Sequence, residues 1–507
     1  MTQKKLIAKN AVVGLTAQIL SLLLSFVSRT FFLRYIGVEI LGLSGTLTSV
    51  ISALSLVDLG FYSAVIFRLY DPLINQRYEE CCEIITVLRR FLYTVAIVIA
   101  GLFACATPLL RYILNGIEVT SFVYKAYALF CVNSVISYFL AYKRTLLYAD
   151  GKDSIAKAVD SFCNLCFTGI KVLVIVFTKN FLIYQAIAIF QTVVSNLIIH
   201  LYCRKKYLWL HKTTINKSIL KLLFTDTKNI FASKIAGYVY GATDNLVISL
   251  FLKTVTVGFY SNYLMLQSSL RMLSDSITAQ ISPFIGREYA KTKEKIIHRN
   301  IIVNYTFIRY LMAGFFIVPF YCLANSFIIW WLGANYTLDS LLIFLCIDLY
   351  IHIVHSVFGD YEGAAGLFKQ EKKISVIGAC TNICSSILLV NLVGLSGVIM
   401  GTAVSQVVYW ILRGKLILKE LFNFEKRFLL KYILQNLFYC LIIIATIFII
   451  SLFINYINLE YFILTFIFQC IICELVFFSL SGVCFGWTKP FRYCVNTVLK
   501  RNSNVRL

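Results

Sequence analysis

The sequence predicts an all-α polytopic membrane protein. About fourteen transmembrane helices form two similar six-helix lobes, with two extra helices at the C-terminal end. Three observations predict it. Of the 507 residues, 59% are hydrophobic and only 14% charged, at a mean hydropathy of +0.80, whereas soluble domains carry about 25% charged residues. Apolar stretches of about 20 residues, enough to cross a bilayer, recur along the whole chain. Landmarks of the first half also return about 217 residues later, as with Asp58 and Asp275.

The expected spans are 9–33, 40–67, 87–110, 121–147, 155–178, 181–203, 227–251, 256–285, 300–324, 337–366, 373–391, 394–416, 429–454 and 459–485. The first apolar run, 11–33, is too long for a signal-peptide core and lacks a small-residue cleavage site, so it is expected to stay as a span. With the N-terminus inside, alternate connecting segments hold 36 of the 47 Lys and Arg, against Arg34, Arg111, Lys125, Lys179 and Lys253 on the other face. This is the positive-inside pattern, and it places both termini in the cytoplasm. The formal charge of +23 is thus a topology signal, and a nucleic-acid partner loses its main support. Trp330-Trp331 mark an outer interface, while Trp209, Trp410 and Trp487 sit beside inner basic clusters. Segments 204–224 and 415–429 mix basic and apolar residues at helical spacing, as amphipathic surface helices do; the second equally reads as an extension of its flanking spans. The sixteen cysteines lie mostly in apolar runs, where a thiol is a small hydrophobe. Neither Cys163/Cys166 nor Cys470/Cys473 has His or acidic company, so no metal or cofactor is expected.

The repeat also aligns Leu41-Gly42 with Val257-Gly258, Asn115-Gly116 with Leu332-Gly333, Cys163–Cys166 with Thr381–Cys384, and Gln191 with Gln406, each within two residues of one offset. Spans 1–6 and 7–12 therefore read as lobes of the same orientation, related by a pseudo-twofold along the membrane normal. The expected organisation is an N-lobe at 1–203, a cytoplasmic amphipathic linker at 204–226, a C-lobe at 227–416, and spans 13–14 with a tail at 417–507. GxxxG pairs at Gly237/Gly241, Gly359/Gly363 and Gly397/Gly401 would let helix backbones approach closely.

No connecting segment exceeds about 25 residues, which leaves no room for an extramembrane catalytic domain. A P-loop, a nucleophile elbow and HExxH are all missing from the sequence, which argues against ATP-driven transport by this chain alone. What remains is polar residues inside spans. Gln18, Ser21, Ser25, Ser28 and Arg29 line one face of the first span, and Ser44, Thr48, Ser52, Ser55, Asp58 and Tyr62 one face of the second. Such stripes mark either a wet wall or helix-packing contacts, and both readings stand. Arg271 lies about fifteen residues, roughly 22 Å, into the eighth span, too deep to snorkel easily. Asp275 follows at i+4 and is within pairing reach. Lys171 and Arg309 are also far from span ends. Deep cations suit an anionic substrate such as a phosphate or a uronic acid, because low-dielectric walls strengthen the attraction; Arg309 reads better as a strut within one lobe. The tenth span carries Asp348, His352 and His355 at i, i+4 and i+7, candidates for ion or proton coupling together with Asp244. Glu474 has no evident partner.

The segment Arg29-Thr-Phe-Phe-Leu-Arg-Tyr-Ile-Gly37-Val-Glu-Ile-Leu-Gly42, then Asp58-Leu-Gly60-Phe-Tyr-Ser, Asp244-Asn-Leu-Val-Ile-Ser, Val257-Gly258-Phe-Tyr-Ser-Asn and Ile329-Trp-Trp-Leu-Gly333-Ala-Asn-Tyr336 resemble bacterial polysaccharide flippases of the Wzx type. These belong to the multidrug/oligosaccharidyl-lipid/polysaccharide (MOP) exporter superfamily, with the flippase MurJ and the MATE drug exporters as relatives. The resemblance implies two lobes forming a V around a central cavity that works by alternating access, a transporter and not an enzyme. Its substrate would be an undecaprenyl-diphosphate-linked oligosaccharide, turned from the inner to the outer leaflet of the bacterial cytoplasmic membrane for capsule, O-antigen lipopolysaccharide or another polymer. By position, Arg29 and Arg271 inherit contacts to the pyrophosphate or anionic sugar; the second span departs from the pattern, offering only Asp58 and hydroxyls. The full substrate-binding set is Arg29, Lys171, Arg271, Asp58, Asp275 and Gln18. Spans 13 and 14 would form a groove for the lipid tail. Membrane lipids, a polysaccharide polymerase and other assembly proteins are the implied partners, and a monomer suffices. Two alternatives remain: a MATE-like small-molecule antiporter, and a membrane-embedded glycosyltransferase or polysaccharide polymerase.

Overall fold

A computed structural model describes residues 3–55, 61–214, 217–278, 281–292, 294–457 and 461–498, and among them there is no β-strand. They form two compact units, residues 1–261 and 262–507. Ten helices among the described residues are long and apolar enough to cross a membrane. The chain is a multi-pass membrane protein.

The first unit contains α1 (Gln3–Tyr35), α2 (Val38–Leu54), α3 (Phe61–Ile74), α4 (Tyr78–Ala106), the short α5 (Leu110–Ile113), α6 (Ser121–Ala149), α7 (Asp153–Thr178), α8 (Phe181–Lys206), α9 (Lys217–Phe251) and the beginning of α10 (Thr254–Thr278). Here α6 lies between α4 and α8, α7 packs on α1 and α8, and α9 packs on α2, α3 and α4. Asn180 starts α8 as an N-cap, its side-chain oxygen accepting from the Leu182 amide at 2.9 Å. The expected second span is represented by α2 and α3, on either side of residues 56–60. The segment 204–226 is not a separate surface helix: residues 204–206 finish α8 and 217–226 open α9. The basic and apolar residues from 217 onward keep the helical period of the following span, and no breaker separates them, so one helix runs through.

The second unit continues with the rest of α10, then α11 (Ile281–Lys291), α12 (Lys295–Leu332), α13 (Leu342–Ala365), α14 (Phe368–Val393), α15 (Leu395–Lys415), α16 (Lys426–Ser451), α17 (Phe462–Phe485) and α18 (Lys489–Val498). Gly366 ends α13 at φ 68°, a left-handed cap that costs glycine little. After α15, one π-helical turn (Leu416–Leu421) leads to Asn423 at φ 48° and into α16, so segment 415–429 mainly extends its flanking helices. α16 and α17 pack on α12. Tyr310 of α12 stacks on Tyr439 of α16 at 4.2 Å and meets Phe477 of α17 edge-on at 5.7 Å. Their other faces expose Leu437, Leu441, Ile444, Ile467, Ile471 and Leu475, the all-round apolar character of lipid-facing helices.

Candidate functional site

In the second unit, Gln267, Arg271 and Asp275 follow one another at i, i+4 and i+8 on α10, and Asp348, His352 and His355 at i, i+4 and i+7 on α13. The two stripes meet rung by rung. The Arg271 guanidinium forms an ion pair with Asp348, whose carboxylate Oδ2 also accepts from Gln267 Nε2 at 2.8 Å; Asp348 is 4% exposed. One turn on, His352 Nε2 lies 3.2 Å from Asp275 Oδ1. Arg271 and Asp275 thus each reach a partner on α13 besides lying one turn apart on their own helix. His355 stands beside Arg413, 3.4 Å from its Nη1, and against the Tyr409 ring at 5.0 Å. Arg413 in turn pairs with Glu362 and lies 3.8 Å from Glu371. Arg309, 3% exposed, donates to the Tyr305 hydroxyl at 2.9 Å and lies 3.7 Å from Asp360, a strut inside this unit.

In the first unit a polar line runs along α7. Asp160, Asn164, Thr168 and Lys171 fall at i, i+4, i+8 and i+11, on one helical face. Asp160 pairs with Arg144 of α6 through both guanidinium Nη atoms, and accepts from Ser195 of α8 at 2.6 Å. Asn164 donates to Ser21 of α1 at 3.4 Å and accepts from Gln191 of α8 at 3.5 Å. Lys171 donates to Gln191 Oε1 at 2.8 Å and stands 5.6 Å from the Tyr184 ring centroid. Both of those partners are neutral. A cavity of about 770 Å³ opens along the lower half of this line, lined by Arg144, Asp160, Asn164 and Gln191 among others. Arg29 of α1 donates to Ser261 at 2.8 Å. Asp244 is half-buried on α9, next to Asn245, which donates to Ser49 of α2 at 3.1 Å. Asp58 and the side chain of Gln18 lie outside the described residues. No group of three His, Cys, Asp or Glu side chains with metal-holding geometry occurs among the described residues.

Residues 7–287 match the model of a family described as polysaccharide biosynthesis protein. The chain belongs to this polysaccharide biosynthesis family. Its fold is that of the MOP transporters. The lipid II flippase MurJ in an inward closed conformation is similar at a TM-score of 0.70 and 17% identity, over 93% of this chain and 98% of that one. An inward-facing multidrug resistance MATE transporter of the MOP superfamily is similar at 0.60 and 12% identity, over 81% and 98%. The Vibrio cholerae MATE transporter VcmN in its bent form is similar at 0.53 and 14%, over 84% and 100%. No curated protein sequence matches the chain.

Within this family member, two clusters escaped the sequence reading. The sequence reading singled out neither Arg144 nor Arg413; in the structure they are bound to Asp160 and to Glu362. The α7 stripe carries a periodic signal that would have exposed the first cluster. Nothing comparable marks the second, whose members come from three different helices.

Proposed function

We propose that this protein is a flippase that carries an undecaprenyl-diphosphate-linked oligosaccharide from the inner to the outer leaflet of the bacterial cytoplasmic membrane, with both termini in the cytoplasm. Membership in the polysaccharide biosynthesis family is the observation that carries this reading. The α7 line supports it. Moving a hydrated glycan through hydrocarbon unaided strands its hydroxyl groups without partners, at a cost of several kcal/mol for each one. A row of polar side chains reaching roughly half-way across a bilayer supplies such partners in sequence, and Lys171 offers an anion a cation that no neighbouring carboxylate has claimed among the described residues. Arg271, by contrast, is matched by Asp348, so it binds an anion only where that carboxylate gives way.

Asp275 and His352 are the best coupling pair, since an imidazole beside a carboxylate can take up or release a proton. The lipid tail stays among the bilayer lipids beside the exposed faces of α16 and α17. Reconstitution in liposomes with a fluorescent lipid-diphosphate oligosaccharide, followed by its accessibility to external glycosidase, tests the proposal. Protein-dependent exposure of the sugar is expected, with Lys171→Gln slowing it about tenfold, the loss of roughly 1.4 kcal/mol. No exposure above empty liposomes would remove the flippase reading. Uptake of small cationic dyes by the same liposomes would instead favour an antiporter.

A further inference from the structure

The cavity in the first unit lies between α6, α7 and α8, with α1 and α3 completing its wall, near the end of α6 that carries the basic residues Lys143 and Arg144. Its volume of about 770 Å³ falls within the roughly 300–1,000 Å³ usual for small-molecule sites. Its electrostatics decide what it can hold. The lining contains one cation, Arg144, and one anion, Asp160, and they are joined to each other through two nitrogens and two oxygens. That pair leaves no net formal charge facing the cavity. Arg144 Nη2 is further committed to Ser195 at 3.2 Å and to Asn196 at 3.1 Å, so the guanidinium is held by a frame on two helices and is poorly placed to turn toward an anion.

The remaining polar lining is amide and hydroxyl: Asn164, Gln191, Thr192, Ser195 and Asn196. Each amide carries both a donor and an acceptor, which matches a sugar hydroxyl that is itself both. Tyr138 and Tyr148 also line the space, giving apolar ring surface with a polar tip, as the C–H face and O–H rim of a pyranose require. An anionic group would have to break the Arg144–Asp160 pair; a lipid chain would bury the amides without partners. An uncharged polyol does neither.

We propose that this cavity is a subsite for an uncharged sugar ring, separate from the place that binds the diphosphate, and that the Arg144–Asp160 pair keeps it selective against acidic sugars. The proposal rests on the flippase reading for its biological setting but makes a lipid-free claim. Lys171 stands outside the cavity lining, eleven residues farther along α7 than Asp160, so one helix presents a neutral sugar site and a cation at different depths.

The test is saturation-transfer NMR on the full-length chain in detergent. The probes are the methyl glycosides of a neutral hexose, an N-acetylhexosamine and a uronic acid, with inorganic pyrophosphate as competitor. The neutral glycosides should receive saturation and displace one another, and pyrophosphate should leave their signal in place. Asn164→Leu should cut that signal at least fivefold, and the milder Gln191→Ala at least twofold at an unchanged melting temperature. Asp160→Asn frees the Arg144 charge for a bidentate carboxylate, so it should reverse the preference, raising the uronate-to-neutral ratio about tenfold. Because that ratio is internal to one sample, a partly folded variant still reports it. Neutral-glycoside signals indifferent to Asn164 and Gln191, or an unchanged ratio in Asp160→Asn, would overturn the assignment. Wild-type chain that binds glycosides yet moves no lipid-linked sugar would sink the flippase reading alone; the opposite result would sink the cavity assignment alone.

Discussion

Asp348 is nearly sealed from solvent, yet it is ionically bound to Arg271 and accepts from Gln267. Removing the charge of one partner in such a pair leaves the other buried and uncompensated, a loss of about 3–5 kcal/mol. With Arg271 partly exposed, about 3 kcal/mol is expected for Asp348→Asn, read as a fall in melting temperature, while Arg271→Met with Asp348→Leu should recover most of it. At the membrane surface, Asp150 follows α6 and binds Lys152 and the Tyr207 hydroxyl at 2.6 Å. Burial pushes its carboxyl pKa up, but the hydrogen bonds from Lys152 and Tyr207 outweigh this and hold it below the ordinary value. A lowered folded value means the stabilisation is complete above the unfolded value of about 3.9 and fades as pH falls through the folded one. Tyr207→Phe should therefore cost about 1 kcal/mol at pH 7, with the gap to wild type closing below about pH 4 in a thermal titration. The α13 stripe of Asp348, His352 and His355 was readable because it obeys the helical period. Its partners were not, because which helix faces α13 is decided by packing over the whole unit and leaves no local trace.

Each expected span overlaps one or two helices among the described residues, ten of them long and apolar enough to cross a membrane, since about 20 apolar residues in a row admit few other structures in a bilayer. The small-residue motifs fared less evenly. Gly397 and Gly401 do sit where α15 presses on α14: a Cβ on Gly401 would lie 2.7 Å from the Ser386 Cα, and one on Gly397 2.9 Å from the Val390 nitrogen. Gly363 has open space around it. A comparably tight crossing has no GxxxG. A Cβ on Gly42 of α2 would run into the Thr254 carbonyl and lie 3.2 Å from the Gly258 nitrogen; one on Gly258 of α10 would run into the Val38 carbonyl and lie 3.1 Å from the Gly42 nitrogen. The contact is reciprocal, and its members are the residues the sequence repeat had paired. A motif search within one helix cannot see a crossing whose two glycines come from different repeats. Gly258→Val should force α2 and α10 apart at a cost of about 1–3 kcal/mol, measurable as earlier thermal unfolding, whereas Gly363→Ala should leave the melting temperature within about a degree.

At the scale of the molecule, the second unit neutralises its deep cations locally: Arg271 with Asp348, Arg309 with Asp360, Arg413 with Glu362. The class of protein and the rough positions of its helices were legible from hydropathy alone. This contrast between the units was not, because formal charge along a chain says nothing about pairing. Lys171 meets the neutral Gln191 and Tyr184. Close ion pairs act at a distance as dipoles, whose field dies away quickly; a lone ammonium acts as a monopole. One elementary charge crossing a potential of 100 mV exchanges about 2.3 kcal/mol with it. A diphosphate resting against Lys171 presents less charge to the membrane voltage than a bare one. Transport by the wild type in potassium-loaded, valinomycin-treated liposomes should accordingly depend weakly on the imposed voltage, and the residual transport of Lys171→Gln more steeply. An equal slope for both would place the anion elsewhere. On the flippase reading proposed above, the lysine's neutral company would make it the electrical partner of a charged headgroup resting against it.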